Sequence, residues 1–150
     1  MPSKPSPAPE VQTPLTGLAF GESSRWHTDR PWFARRLTAL DIAADGGLSN
    51  RRVRGDLGDG VPGGIFVDAE HAARYADVPN KRCVRVREGG EVLQTISLDR
   101  GCFACMLAGG ERSTLFLALT ECGGMERMTD RAQTGQILTH RAPARGAGWP

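Results

Sequence analysis

Cys102 and Cys105 stand in a C-x-x-C spacing, which suits either a metal knuckle or a dithiol redox pair. Zinc takes about four ligands, and no second pair lies at matching spacing. A thioredoxin-type site needs a strand–helix–strand surround that the flanking sequence lacks. Together with Cys83 and Cys122, the two therefore read as small apolar residues carrying free thiols. A Cys-based metal or redox role is the alternative.

The histidines, His27, His71 and His140, fall in two turns and a late strand, far apart in sequence. They read as solvated side chains, and form an acid–base or zinc site only where folding converges them. No G-x-S-x-G nucleophile elbow is present. The glycine-rich stretches Gly60–Gly64 and Gly89–Gly90 lack the Lys-Ser/Thr and helix of a phosphate loop. Trp26, Trp32 and Phe33 alternate imperfectly along one hairpin and read as core packing before a sugar-stacking platform.

The elements that must position these residues are strands. Apolar stretches of a few residues recur between Asp/Gly/Asn turns, and no long helical period appears. Even Ala69–Tyr75, the most helix-like stretch, is bracketed by Asp68 and Asp77 and fits strand–turn–strand better. Residues 1–14 carry five prolines and form a leader with nothing to bury. Residues 15–150 are expected to form one propeller-like domain of about three repeats, running Gly21–Val53, Gly63–Leu98 and Cys102–Pro143. The predicted second strands are Trp32–Ala34, Ala73–Val78 and Thr114–Leu119. The third strands are Leu37–Ile42, Arg82–Arg87 and Gln136–Arg141, and the fourth are Leu48–Val53 and Glu91–Leu98. Four strands joined by tight turns make one antiparallel blade, so the fold class is all-β, a partial β-propeller of about three four-stranded blades. The third repeat lacks its fourth strand. The apolar segment Leu15–Phe20 is expected to supply it and so cover an exposed edge.

Composition bounds the partners. The net charge is +2, and basic and acidic residues alternate, as in Arg85, Arg87, Glu88 and Glu91. Nucleic-acid binders concentrate their charge on one face, so no nucleic acid is expected. No apolar run reaches the roughly 18 residues of a spanning helix. Lys4 is followed by proline, without the apolar core of a signal peptide, and a cytoplasmic protein is expected.

The segments GESSRWHTDRPWFA, LDIAADGGLSNRRV, DGVPGGIFVDAEHAARYADVPNKRCVRV and FACMLAGGERSTLFL resemble, in order, the gluconolactonase/regucalcin (senescence marker protein) family. The resemblance implies a six-bladed propeller about twice as long as this chain. It also implies hydrolysis of sugar lactones and related esters at one central divalent metal (Ca, Zn or Mg). Such a metal takes several oxygen ligands, polarises the lactone carbonyl and acidifies a bound water. Up to Ala34 the chain resembles the family's opening blade. From Leu37 it resembles the fourth and later blades, which implies that the middle blades are absent.

By the same resemblance, Glu22, in Gly21-Glu22-Ser23-Ser24-Arg25-Trp26, stands at the family's first metal ligand. The family's Gly-Pro after that Glu is here Ser23-Ser24. The Asn ligand belongs to the absent blades. The family's Asp, in a Pro-Asp-Gly motif, is replaced by Gly63 in Pro62-Gly63-Gly64. Asp59 is the nearest carboxylate that could substitute, but Asp56-Leu57-Gly58-Asp59-Gly60 reads as a turn. One of three ligands survives. The implied reading is therefore a lactonase-like hydrolase, impaired or inactive in this chain, with a non-catalytic half-propeller binding module or a decaying fragment as the alternative. Three blades are half of six, so a homodimer could complete the ring.

Overall fold

Turn chemistry cuts the chain into hairpins. The computed structural model describes residues 35–123 and 133–147, and among these every regular element is a β-strand. There are nine: β1 (Arg36–Ile42), β2 (Leu48–Asp56), β3 (Pro62–Val67), β4 (Ala73–Asp77), β5 (Arg82–Val86), β6 (Val92–Ser97), β7 (Gly101–Ala108), β8 (Thr114–Thr120) and β9 (Gln136–Arg141). They form three open antiparallel sheets in the orders β1-β2, β3-β4-β5-β6 and β7-β8-β9. The second sheet is a complete four-stranded blade, and the first and third are its neighbours.

The predicted strands from Leu37 onward match these elements to within a few residues. The leader 1–14, Leu15–Phe20, Glu22, Trp26, His27, Trp32 and Phe33 lie outside the described residues, and so does the proposed closure of the third blade by Leu15–Phe20.

The middle blade is buried on both sides. All five residues of β4 are buried, although a half-exposed strand would alternate. On one side, Ala73, Tyr75, Val84 and Val86 pack with Leu37 of β1 and with Leu57, which follows β2. On the other, Ala76 and Cys83 pack with Cys102, Cys105, Leu107, Leu115, Leu117 and Leu119 of the third sheet. Leu115, Leu117 and Leu119 alternate along β8 and turn the same face to the middle blade, each worth about 1.5–3 kcal/mol of burial.

The β5–β6 turn shows how the first two sheets are joined. Gly89 and Gly90 both have positive φ, at 96° and 94°. The Gly89 amide donates to the Arg54 carbonyl of β2 at 2.8 Å, so the turn rests on the neighbouring sheet. A Cβ on Gly90 would stand 2.7 Å from the Asp56 carbonyl oxygen. Left-handed backbone and backbone contact together require glycine there. Gly90→Ala should lower stability by about 2 kcal/mol in urea-unfolding measurements, combining a strained φ with a collision that backbone must relieve. Gly110 is the control: a Cβ there meets nothing within 4 Å, and Gly110→Ala should be nearly neutral.

Candidate functional site

In a blade the strand nearest the ring axis is the first, so the residues that can face a central site lie on β3 and β7. Gly63 is the second residue of β3. A Cβ at position 63 would meet the Ala76 carbonyl at 3.4 Å and the Phe103 carbonyl at 3.6 Å, which is ordinary contact. Gly64 is tighter: its Cβ would lie 3.2 Å from the Ala104 Cα and 3.3 Å from the Phe103 carbonyl. The Gly63-Gly64 pair thus lets β3 and β7 approach backbone to backbone. Position 63 has room for a side chain, and glycine is not imposed there by sterics.

Asp59 does not stand free. Arg82 donates to it at 2.7 Å through Nη2, and to the buried Asp77 at 2.9 Å through Nε. Asn80 donates to both Asp77 oxygens, at 3.1 and 3.0 Å, and to the Asp59 carbonyl at 3.0 Å. The Arg82 hydrogen bond and charge hold the Asp59 carboxyl below its usual range. Asp59 is thus a turn residue tied to an arginine, as its surroundings in sequence indicated.

A second buried carboxylate, Asp68, organises the β3–β4 turn. Its Oδ1 accepts from the Glu70 and Ala72 amides at 3.0 and 3.1 Å, while Arg85 Nε donates to Oδ2 at 2.7 Å. Arg85 also donates to Glu70 at 2.7 Å. These acids serve structure: both oxygens of Asp68 and Asp77 are engaged by amides or guanidinium groups. Among the described residues, no group of three or more His, Cys, Asp or Glu side chains could hold a metal ion. The described donors therefore do not fit the oxygen cage that a hard divalent cation needs, and no chemical step is routed through one.

His71 sits in the turn before β4 and His140 on exposed β9, both as expected of solvated histidines. A groove of about 750 Å³ is lined by Gln94, Ser113, Arg141 and Arg145 among others. It lies along β6 and β9, at the far edge of the blades from β3 and β7.

The sequence reading did not bring the cysteines together. Cys83, Cys102 and Cys105 are buried, as expected, and Cys122 is exposed. The three buried thiols share one seam. The neighbouring Cys102 and Cys105 thiols, with the nearby Arg74 charge, hold the Cys83 thiol well below its ordinary range, against the opposing effect of burial. The same contacts and burial push Cys102 and Cys105 up. Residues three apart on a regular strand face opposite sides. Here a bulge between Cys102 and Ala104 inserts Phe103 opposite no partner, which resets the alternation and turns both thiols toward the middle blade.

Residues 14–121, more than two thirds of the chain, match the family described as SMP-30/gluconolactonase/LRE-like. The chain belongs to that family. Two solved structures share its fold. A luciferin-regenerating enzyme aligns with 17% identity and a TM-score of 0.62, covering 76% of this chain and 40% of that one. Regucalcin from Agrobacterium tumefaciens, a calcium-binding protein, aligns with 20% identity and a TM-score of 0.62, covering 78% and 42%. Both are β-propellers, and this member of the SMP-30/gluconolactonase/LRE-like family spans about two fifths of their length. No curated protein is similar enough to count as a match. Among the described residues, no helix is long and apolar enough to cross a membrane.

Tyr75 gives a direct probe of the seam between the first two blades. Burial raises its phenol to about 12 from the usual 10.0. Because the folded value is the higher one, the stabilisation is complete below pH 10.0 and is lost as pH rises through about 12. Tyr75 is the single tyrosine, so tyrosinate absorbance reports it alone. The midpoint should lie near 12 in the folded chain and return to about 10.0 in urea.

Proposed function

We propose that this chain is a gluconolactonase-like propeller in which sugar-lactone or ester hydrolysis is impaired. The observation that carries the reading is Gly63. It lies on the innermost strand of the complete blade, with room for a Cβ, where the family resemblance calls for an acidic ligand and general base. Glu22 then remains as the one family ligand, and a single carboxylate binds a divalent cation weakly, because affinity follows ligand number and rigidity. Calcium, zinc or magnesium would be held only in part, and the substrate class would be a small lactone. The four unpaired cysteines suit a cytoplasmic setting.

Calcium titration calorimetry and lactone hydrolysis test this together. The chain should bind calcium weakly and hydrolyse lactone little above background. Gly63→Asp should tighten calcium binding by about tenfold, as a second carboxylate ligand would. Substantial turnover by the unaltered chain that vanishes in Glu22→Gln would overturn the impaired reading.

A second reading, a half-propeller that binds without catalysis, is favoured by an exposed apolar side of the third sheet that no described residue covers. There Met106 and Ile137 keep 49% and 66% of their surface exposed, flanking Phe116 and Ala118. A second copy of the chain, related by a twofold axis, would cover such a face and complete six blades. Light scattering should then give twice the 16.1 kDa chain mass, and a monomer at micromolar concentration would rule the ring out.

A further inference from the structure

Cys83 belongs to β5 of the middle blade, whereas Cys102 and Cys105 belong to β7 of the next sheet. The three thiols thus meet across a boundary between two separately hydrogen-bonded sheets. Beside Cys83 lies Arg74, whose residue surface is 1% exposed. Its Nη2 donates to Gln94 at 2.8 Å, while Nε and Nη1 are buried without a partner. A buried guanidinium with two unused donors is costly unless an anion lies close. Cys83, packed between Arg74 and the two β7 thiols, is the group placed to be that anion. Cys83 and burial raise the Cys102 thiol, and Asp77, buried and held by Arg82, lies on its side. Cys105 donates to the Gly64 carbonyl at 3.5 Å and, at 8% exposure, is the member of the cluster that solvent touches.

We propose that Cys83 forms a reversible disulfide with one of the two β7 cysteines, clamping the middle blade to its neighbour under oxidising conditions. Two S–H bonds break and one S–S bond forms. The two electrons and two protons pass to a small two-electron oxidant: a peroxide, reduced to water, or a diazenedicarboxamide, reduced to the hydrazine. A dithiol reverses the reaction. Thiols packed against one another beside a buried guanidinium are the setting that thiol–disulfide exchange uses. The cross-link would close a loop of about 20 residues and so restrict the unfolded chain.

The test uses the full chain carrying Cys122→Ser, which removes the one exposed thiol and with it disulfide-linked dimers. After oxidation with diamide (a diazenedicarboxamide), peptides are mapped by non-reducing mass spectrometry. The expected product links the peptide holding Cys83 to the peptide holding Cys102 and Cys105. It should raise Tm by several degrees, and dithiothreitol should reverse both effects. A chain that stays folded by circular dichroism with all three thiols free after diamide would overturn the proposal. So would a link confined to Cys102 and Cys105, which would join no blades.

Discussion

A sheet with two apolar faces cannot be stable between water and water; it needs a layer on each side. The middle blade is such a sheet. β4 carries no residue that could be left in solvent, and β5 sets Val84 and Val86 toward one neighbour and Cys83 toward the other. Everything described around it answers that demand. Leu37 and Leu57 close one side, and the alternating leucines of β8 close the other. Strand pairing holds each blade together, while the blades hold one another through these two apolar seams and through polar contacts such as Gly89 on Arg54, the Arg54–Glu88 pair and the Asp68–Gly146 bridge.

The same burial dictates what the charged residues do. Strands buried on both faces leave no solvated side for Arg74, Asp77 or Arg85, so each must be answered inside the protein. Asp77 is answered by Arg82 and Asn80, and Arg85 by Asp68 and Glu70. These pairs fix the ends of β4: Asp68 ties the turn that enters it, and Asp77 the turn that leaves it. Replacing one partner alone would strand a buried charge, which costs more than the intact pair contributes. Acidic residues that look available for chemistry in the sequence are thereby committed to architecture.

Strand positions were legible because turns punctuate them. Asp45-Gly46-Gly47, Asp68–His71, Gly89-Gly90 and Gly109–Ser113 each fall between paired strands, and the apolar runs between them map onto β1 to β9. Asp59 as a turn residue was legible for the same reason. The thiol cluster was not. Cys83 lies some 20 residues from Cys102, on a different sheet, and only packing of blade on blade brings them together. Within the C-x-x-C pair, strand alternation predicts opposite faces, and the bulge at Phe103 that overrides it has no glycine to announce it. Asp68 likewise reads as one more turn acid, because burial by a neighbouring sheet leaves no local mark. Glu22, the ligand implied by resemblance, lies outside the described residues and is judged by sequence alone.

The seams also link the completeness of the fold to that of the site. A central metal site collects one side chain from the inner strand of each of several blades, so its ligand number grows with the number of blades in the ring. Among the described residues, the third sheet keeps Met106 and Ile137 exposed on one face. Covering that face by adding blades, from whatever source, would bring further inner strands to the axis at the same time. Gly63 separates the two requirements. Its backbone lies against β7, and sterics there would admit a side chain. What position 63 lacks is a carboxylate and not a place. On the proposed reading, closing the ring would leave that donor absent, so fold and chemistry are separable at this residue.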